Sequence, residues 1–109
     1  MAGATAVLRI EHPVPDYETW KRKGFDRDPI GREEHGVRRY RVLRPTDDAK
    51  LVAIELEFDD RAAAEAFATS LVQMWQGVQE RFRWRELPAT RIYELAASSE
   101  HVAIPSSAR

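Results

Sequence analysis

Apolar and polar positions alternate along four separate stretches of this chain, and in two intervening stretches apolar residues recur every three or four positions. The first rhythm belongs to a β-strand, whose successive side chains point to opposite faces, and the second to a helix. The clearest strand is Leu51–Phe58, which sets Val52, Ile54, Leu56 and Phe58 on one face and Leu51, Ala53, Glu55 and Glu57 on the other. Thr5–His12 repeats this, with Ala6, Leu8 and Ile10 set against Val7, Arg9 and Glu11. His12-Pro13-Val14-Pro15 is expected to end that strand, because proline cannot donate to a ladder. Val37–Arg44 predicts an edge strand, its arginines discouraging pairing with another chain, with Val37, Arg39, Arg41 and Leu43 on one side. Ala89–Leu95 predicts the last strand, with Ala89, Arg91, Tyr93 and Leu95 opposite Thr90, Ile92 and Glu94.

Asp16 is a suitable N-cap for a first helix from Tyr17 to Phe25 or Arg27, in which Tyr17, Trp20, Lys21 and Gly24 share a stripe. Trp20 is the expected anchor onto the sheet. Residues 28–36 form a polar connection, and Gly36 is the exit into the next strand. Asp59 and Asp60 are alternative caps for a second helix whose core stripe is Ala64, Phe67, Leu71, Met74, Trp75, Val78 and Phe82. Gly77 is expected to interrupt it, leaving Gln79 to Leu87 as a separate helical piece or an irregular arm.

Strand, helix, strand, strand, helix, strand is the split βαβ order of a ferredoxin-like α+β fold. It predicts a four-stranded antiparallel sheet with both helices on one face. Residues 1–96 make a single domain, with Met1 to Gly3 frayed, and residues 97–109 make a flexible or partner-contacting tail in which His101 to Ile104 can add as a strand. The sheet face away from the helices carries Arg9, Glu11, Arg39 or Arg38, Glu55 and Glu57, with Arg91 as a further candidate, among Val7, Leu51 and Ala53.

Composition narrows the function classes. The 109 residues are 43% hydrophobic and 32% charged with a net charge of -1, which suits a folded domain and gives no field to draw in nucleic acid or an anionic membrane. No cysteine is present, so disulfides, thiolate catalysis and sulfur-bound metals are excluded. No stretch has signal-peptide or membrane-span character, and the expected compartment is the cytoplasm. The chain lacks GxGxxG, GxxxxGK and GxSxG, hence any motif for a dinucleotide, a nucleotide phosphate or a serine nucleophile. His12, His35 and His101 lack the spacing of helical metal ligands. Neither a metal nor a cofactor is expected.

Three segments carry a resemblance: Val14-Pro15-Asp16-Tyr17-Glu18-Thr19-Trp20-Lys21, Gly36-Val37-Arg38-Arg39-Tyr40, and Glu57-Phe58-Asp59-Asp60 leading into Ala64-Glu65-Ala66-Phe67. With the element order, they resemble the small dimeric α/β-barrel proteins of the antibiotic biosynthesis monooxygenase-like superfamily, over roughly Ala4 to Leu95. The resemblance implies a homodimer whose bare sheet faces stack around a pocket. It also implies a cofactor-independent oxygenase or cyclase acting on a polyketide-like aromatic, which needs a base and a dry cavity rather than a prosthetic group. Haem-degrading members carry a histidine after the second helix, and Leu71 to Pro88 contains none.

The charged face is the candidate site, with Glu55 as base and Arg9, Glu11, Arg39 and Glu57 as substrate-binding groups. Its structural alternative is an intersubunit salt-bridge network or a solvated face. His12, at the end of the first strand, is the second catalytic candidate, placed at the mouth of that pocket. Trp20 and Trp75 belong to core stripes. Trp84, among Arg81, Arg83 and Arg85, is the tryptophan placed to close over a pocket or a partner. A non-catalytic ligand-binding or stress-associated module of the same architecture is the competing reading, and an interaction protein using the arginine-rich segment is a third.

Overall fold

The four alternating stretches pair as one antiparallel sheet in a computed structural model of the chain, which describes residues 4–82 and 87–99. The elements run β1 (Ala6–Pro13), α1 (Tyr17–Lys23), a short 3-10 turn (Phe25–Arg27), β2 (Arg39–Leu43), β3 (Leu51–Phe58), α2 (Arg61–Phe82) and β4 (Ala89–Glu94). Strand order is β2-β3-β1-β4, the arrangement of a ferredoxin-like α+β fold. β1 and β3, the two clearest alternating patterns, are the central strands.

One face of the sheet is dry. Leu8, Ile10, Val52, Ile54, Leu56 and Phe58 are all buried against the helices, and α2 answers with Ala64, Phe67, Leu71 and Trp75. Each Val, Leu, Ile or Phe among them contributes roughly 1.5–3 kcal/mol when fully withdrawn from water. Asp60 settles the choice of cap for α2, because its carboxylate accepts the Ala63 backbone N–H at 2.9 Å. Asp59 is drawn off instead to an ion pair with Arg38.

The structure departs from the sequence pattern in four places. β1 continues through Pro13, whose register partner is Leu51. Val14 N–H donates to Lys50 O at 2.9 Å, so the even-numbered residues of β1 are those that bond β3. The N–H that Pro13 lacks would point to the other side, where β4 has already ended at Ala89 opposite Glu11, and no ladder bond is lost. The first helix stops at Lys23 with none of its residues fully buried, and Phe25 in the following turn is the buried aromatic instead of Trp20. β2 begins at Arg39. Val37, placed on the arginine face by parity, sits buried in the core because Gly36, at φ 96°, turns the chain just before the strand. α2 is unbroken through Gly77, since 22 residues of helix with a packed face outweigh the roughly 1 kcal/mol that one glycine costs.

Candidate functional site

The open face is built by the odd-numbered residues of all four strands. Across its middle run Arg41, Glu55, Arg9 and Arg91, in register from β2 to β4. Glu55 lies at the centre with its Oε2 2.5 Å from Arg9 and its Oε1 2.5 Å from Arg41. Glu57 faces Arg39 at 3.5 Å, and Glu11 sits 3.7 Å from Arg9 along the same strand. The hydrogen bond from Arg41, with that from Arg9, holds the Glu55 carboxyl below its usual range against the opposing effect of partial burial. A carboxylate stabilised by two guanidiniums is a weak proton acceptor, so Glu55 does not have the poorly compensated charge that a base at this position needs. Arg9, Glu11, Arg39, Glu55 and Glu57 do come together as the sequence predicts. What they form is a network of ion pairs, joined by Arg41, whose place opposite Glu55 depends on the β2–β3 register. Arg91 makes no ion pair among the described residues. Tyr93, Leu95 and Leu43 stand beside this network at 44%, 45% and 39% exposure.

His12 is elsewhere. Because β1 keeps its alternation through Pro13, His12 shares the face of Leu8 and Ile10 and lies beneath the helices, 8% exposed. It is thus on the opposite side of the sheet from Glu55 and Arg9, and the two catalytic candidates do not share a site. The imidazole meets Trp20 and Trp75 edge-on, each at 6.0 Å between ring centroids. Its Nδ1 lies 2.7 Å from the Pro13 carbonyl oxygen; a carbonyl only accepts, so Nδ1 carries the proton and Nε2 is the basic nitrogen of the neutral ring. Burial pushes the His12 pKa below its ordinary 6.5, against a smaller opposing effect of the Pro13 carbonyl.

His12 lines a cavity of about 520 Å³ between the sheet and the helices. Ile10, Ile54 and Leu56 form its sheet side, and Phe67, Leu71 and Trp75 its α2 side. Trp20 and Phe25, with rings 5.3 Å apart, close it from the α1 side. Arg32 lies over the Phe25 ring at 3.8 Å and donates to the Phe25 carbonyl at 2.9 Å, tying the connection after α1 to the cavity wall. The resemblance implies a pocket on the charged sheet face; the cavity described here is on the other side. Its one signal in the sequence is the even position of His12 among Ala6, Leu8 and Ile10.

Trp84, with Arg83 and Arg85, and the tail from Glu100 lie outside the described residues, whereas Arg81 belongs to the last turn of α2. Among the described residues no group of acidic and histidine side chains is arranged to hold a metal ion, and no helix is long and apolar enough to cross a membrane. No family model and no curated protein matches the chain.

Proposed function

We propose that this protein binds an apolar, aromatic organic molecule in the cavity between its sheet and its helices, and that it works as a homodimer joined through the open sheet face. The observation that carries the first part is His12, an imidazole in the wall of a largely apolar cavity of about 520 Å³. That volume lies within the roughly 300–1,000 Å³ usual for pockets that enclose small organic ligands. Burial keeps the ring neutral near pH 7, the form that accepts a proton. In this reading Nε2 takes a phenolic or enolic proton from the bound molecule, while Trp20 and Trp75 pack against its rings. The resemblance to the antibiotic biosynthesis monooxygenase-like superfamily supports the same chemistry, a cofactor-independent oxygenation or cyclisation of a polyketide-like aromatic. The second part rests on the exposed Tyr93, Leu43 and Leu95 beside paired charges on a bare sheet, a surface that a second copy covers.

The test uses a panel of hydroxylated naphthalenes and anthracenes, with tryptophan emission reporting binding and oxygen uptake or product formation reporting turnover. The parent protein is expected to bind and convert a member of the panel, and His12→Gln to bind it without converting it. Binding without turnover in the parent would reduce the protein to a ligand carrier. Failure to bind any of the panel would remove the cavity reading.

A further inference from the structure

We infer that the molecule this cavity takes is an anion, an aromatic body bearing a carboxylate or similarly acidic group that is held at the rim by Lys23, Arg27 and Arg32. This rests on the reading that the cavity binds a ligand at all, and it adds what that ligand must carry. Apart from His12, the charged and titratable side chains that line the cavity among the described residues come from one segment, Lys23 to Arg32. Three are cations and one, Asp28, is a carboxylate.

Asp28 is already engaged. Its backbone is left-handed, at φ 50° and ψ 58°, and both of its carboxylate oxygens accept the Arg32 backbone N–H, at 2.9 and 3.0 Å. One of those oxygens also lies 3.6 Å from the Arg32 guanidinium. Arg32 itself is fixed by the Phe25 carbonyl and the Phe25 ring, with its side chain only 17% exposed. A guanidinium so placed is pre-ordered, and its remaining donors can meet an acid without a further loss of side-chain freedom. Lys23 and Arg27 are exposed and have no ion-pair partner among the described residues. The nearby carboxylate of Asp26 is taken by Lys21 at 2.6 Å. The described walls facing this segment from β1, β3 and α2 are apolar except for His12, and no carboxylate among those described residues opposes the cations from across the cavity. An apolar interior with two uncompensated positive charges at one rim selects an amphiphile with its negative group at that rim.

The experiment compares naphthalene-2-carboxylate with the neutral naphthalene-2-carboxamide, titrated against tryptophan emission at low and at moderate salt. The acid is expected to bind about tenfold more tightly than the amide at low salt, with the gap narrowing as salt screens the rim. The exposed pair of changes Lys23→Gln and Arg27→Gln, combined, should weaken the acid about fivefold and leave the amide unchanged. Arg61→Gln, on the α2 surface away from the cavity, should alter neither. Equal affinity for acid and amide, or an acid-to-amide ratio indifferent to the double change, would overturn the anion assignment while leaving the cavity reading intact. Binding of neither probe would remove both.

Discussion

Glu55 faces Arg9 across the two central strands, with 2.5 Å between the carboxylate and the guanidinium, and its second oxygen is held by Arg41 from the edge strand. The side chain is only 18% exposed, so its partners replace water that it has largely lost. Replacing Glu55 by Gln leaves two arginines without their shared counter-charge and is expected to cost roughly 1–2 kcal/mol at pH 7. The folded-state pKa of Glu55 is depressed below 4.5, so this stability is fully present above about that pH and is lost as pH falls through the lower folded value. Chemical denaturation of parent and variant at pH 7 and pH 3 should show the two curves converging in acid. An unchanged or higher midpoint for the variant at pH 7 would contradict the pairing account.

His12 gives a second pH signature with a different window. Its folded pKa lies below 6.5, so the unfolded chain takes up a proton at a pH where the native protein resists it. Stability is therefore fully present above about pH 6.5 and declines as pH drops from there toward the folded value. His12→Gln should flatten the dependence of the denaturation midpoint on pH between 7.5 and 5.5. An identical slope in parent and variant would show that His12 is not kept neutral by burial.

Trp75 and Trp20 both touch His12 but differ in burial, Trp75 at 4% exposure and Trp20 only half-buried. Trp75→Ala is expected to cost roughly 3–5 kcal/mol as a core truncation. Trp20→Ala should cost less, roughly 1–3 kcal/mol, because less apolar area is withdrawn from water there. Equal losses in urea titration would mean that Trp20 is the anchor the helical stripe predicts.

Gly77 lies mid-helix with open space around the position of a Cβ. Gly77→Ala should stabilise the protein by about 0.5–1 kcal/mol by restricting the unfolded chain. Gly36, at φ 96°, should behave oppositely, with Gly36→Ala destabilising by about 1–2 kcal/mol. Thermal melts of the pair decide the matter, and a Gly77→Ala variant that melts lower than the parent would mean that the helix is interrupted there.

The open face predicts association. Sedimentation is expected to give twice the 12.5 kDa of one chain. Tyr93→Glu, placing a carboxylate at an exposed aromatic of that face, should shift the protein toward monomer. A parent protein that is monomeric and folded at high concentration would contradict the dimer.

The fold is legible because alternation and helical periodicity state which side of each element is wet. Val52, Ile54, Leu56 and Phe58 are enough to orient β3, and the register with β1 follows from matching apolar ladders. The ion pairs around Glu55 are half legible: the residue types on the face are evident, but that Glu55 meets both Arg9 and Arg41 depends on register across three strands. The cavity is much less so. Phe25, Leu71 and Trp75 are apolar whether they touch one another or stand apart, and only their packing decides where space remains. His12 was open to inference from its even position, and the proline beside it hides this, because Pro13 reads as a stop whereas the strand passes through it at a point where no neighbour needs its N–H.

The alternation along β1 makes that strand a wall shared by two surfaces, with Arg9 and Glu11 presented on one side and Ile10 and His12 on the other. A single-residue insertion between Arg9 and Glu11, or deletion of Ile10, would therefore do more than displace a loop. It would exchange the surfaces downstream of it, carrying His12 out among the arginines and forcing Glu11 beneath Trp75, in a medium that cannot solvate it. Added residues are expected to be tolerated instead in segments such as the turn at residues 44–50, where they change no parity within a strand.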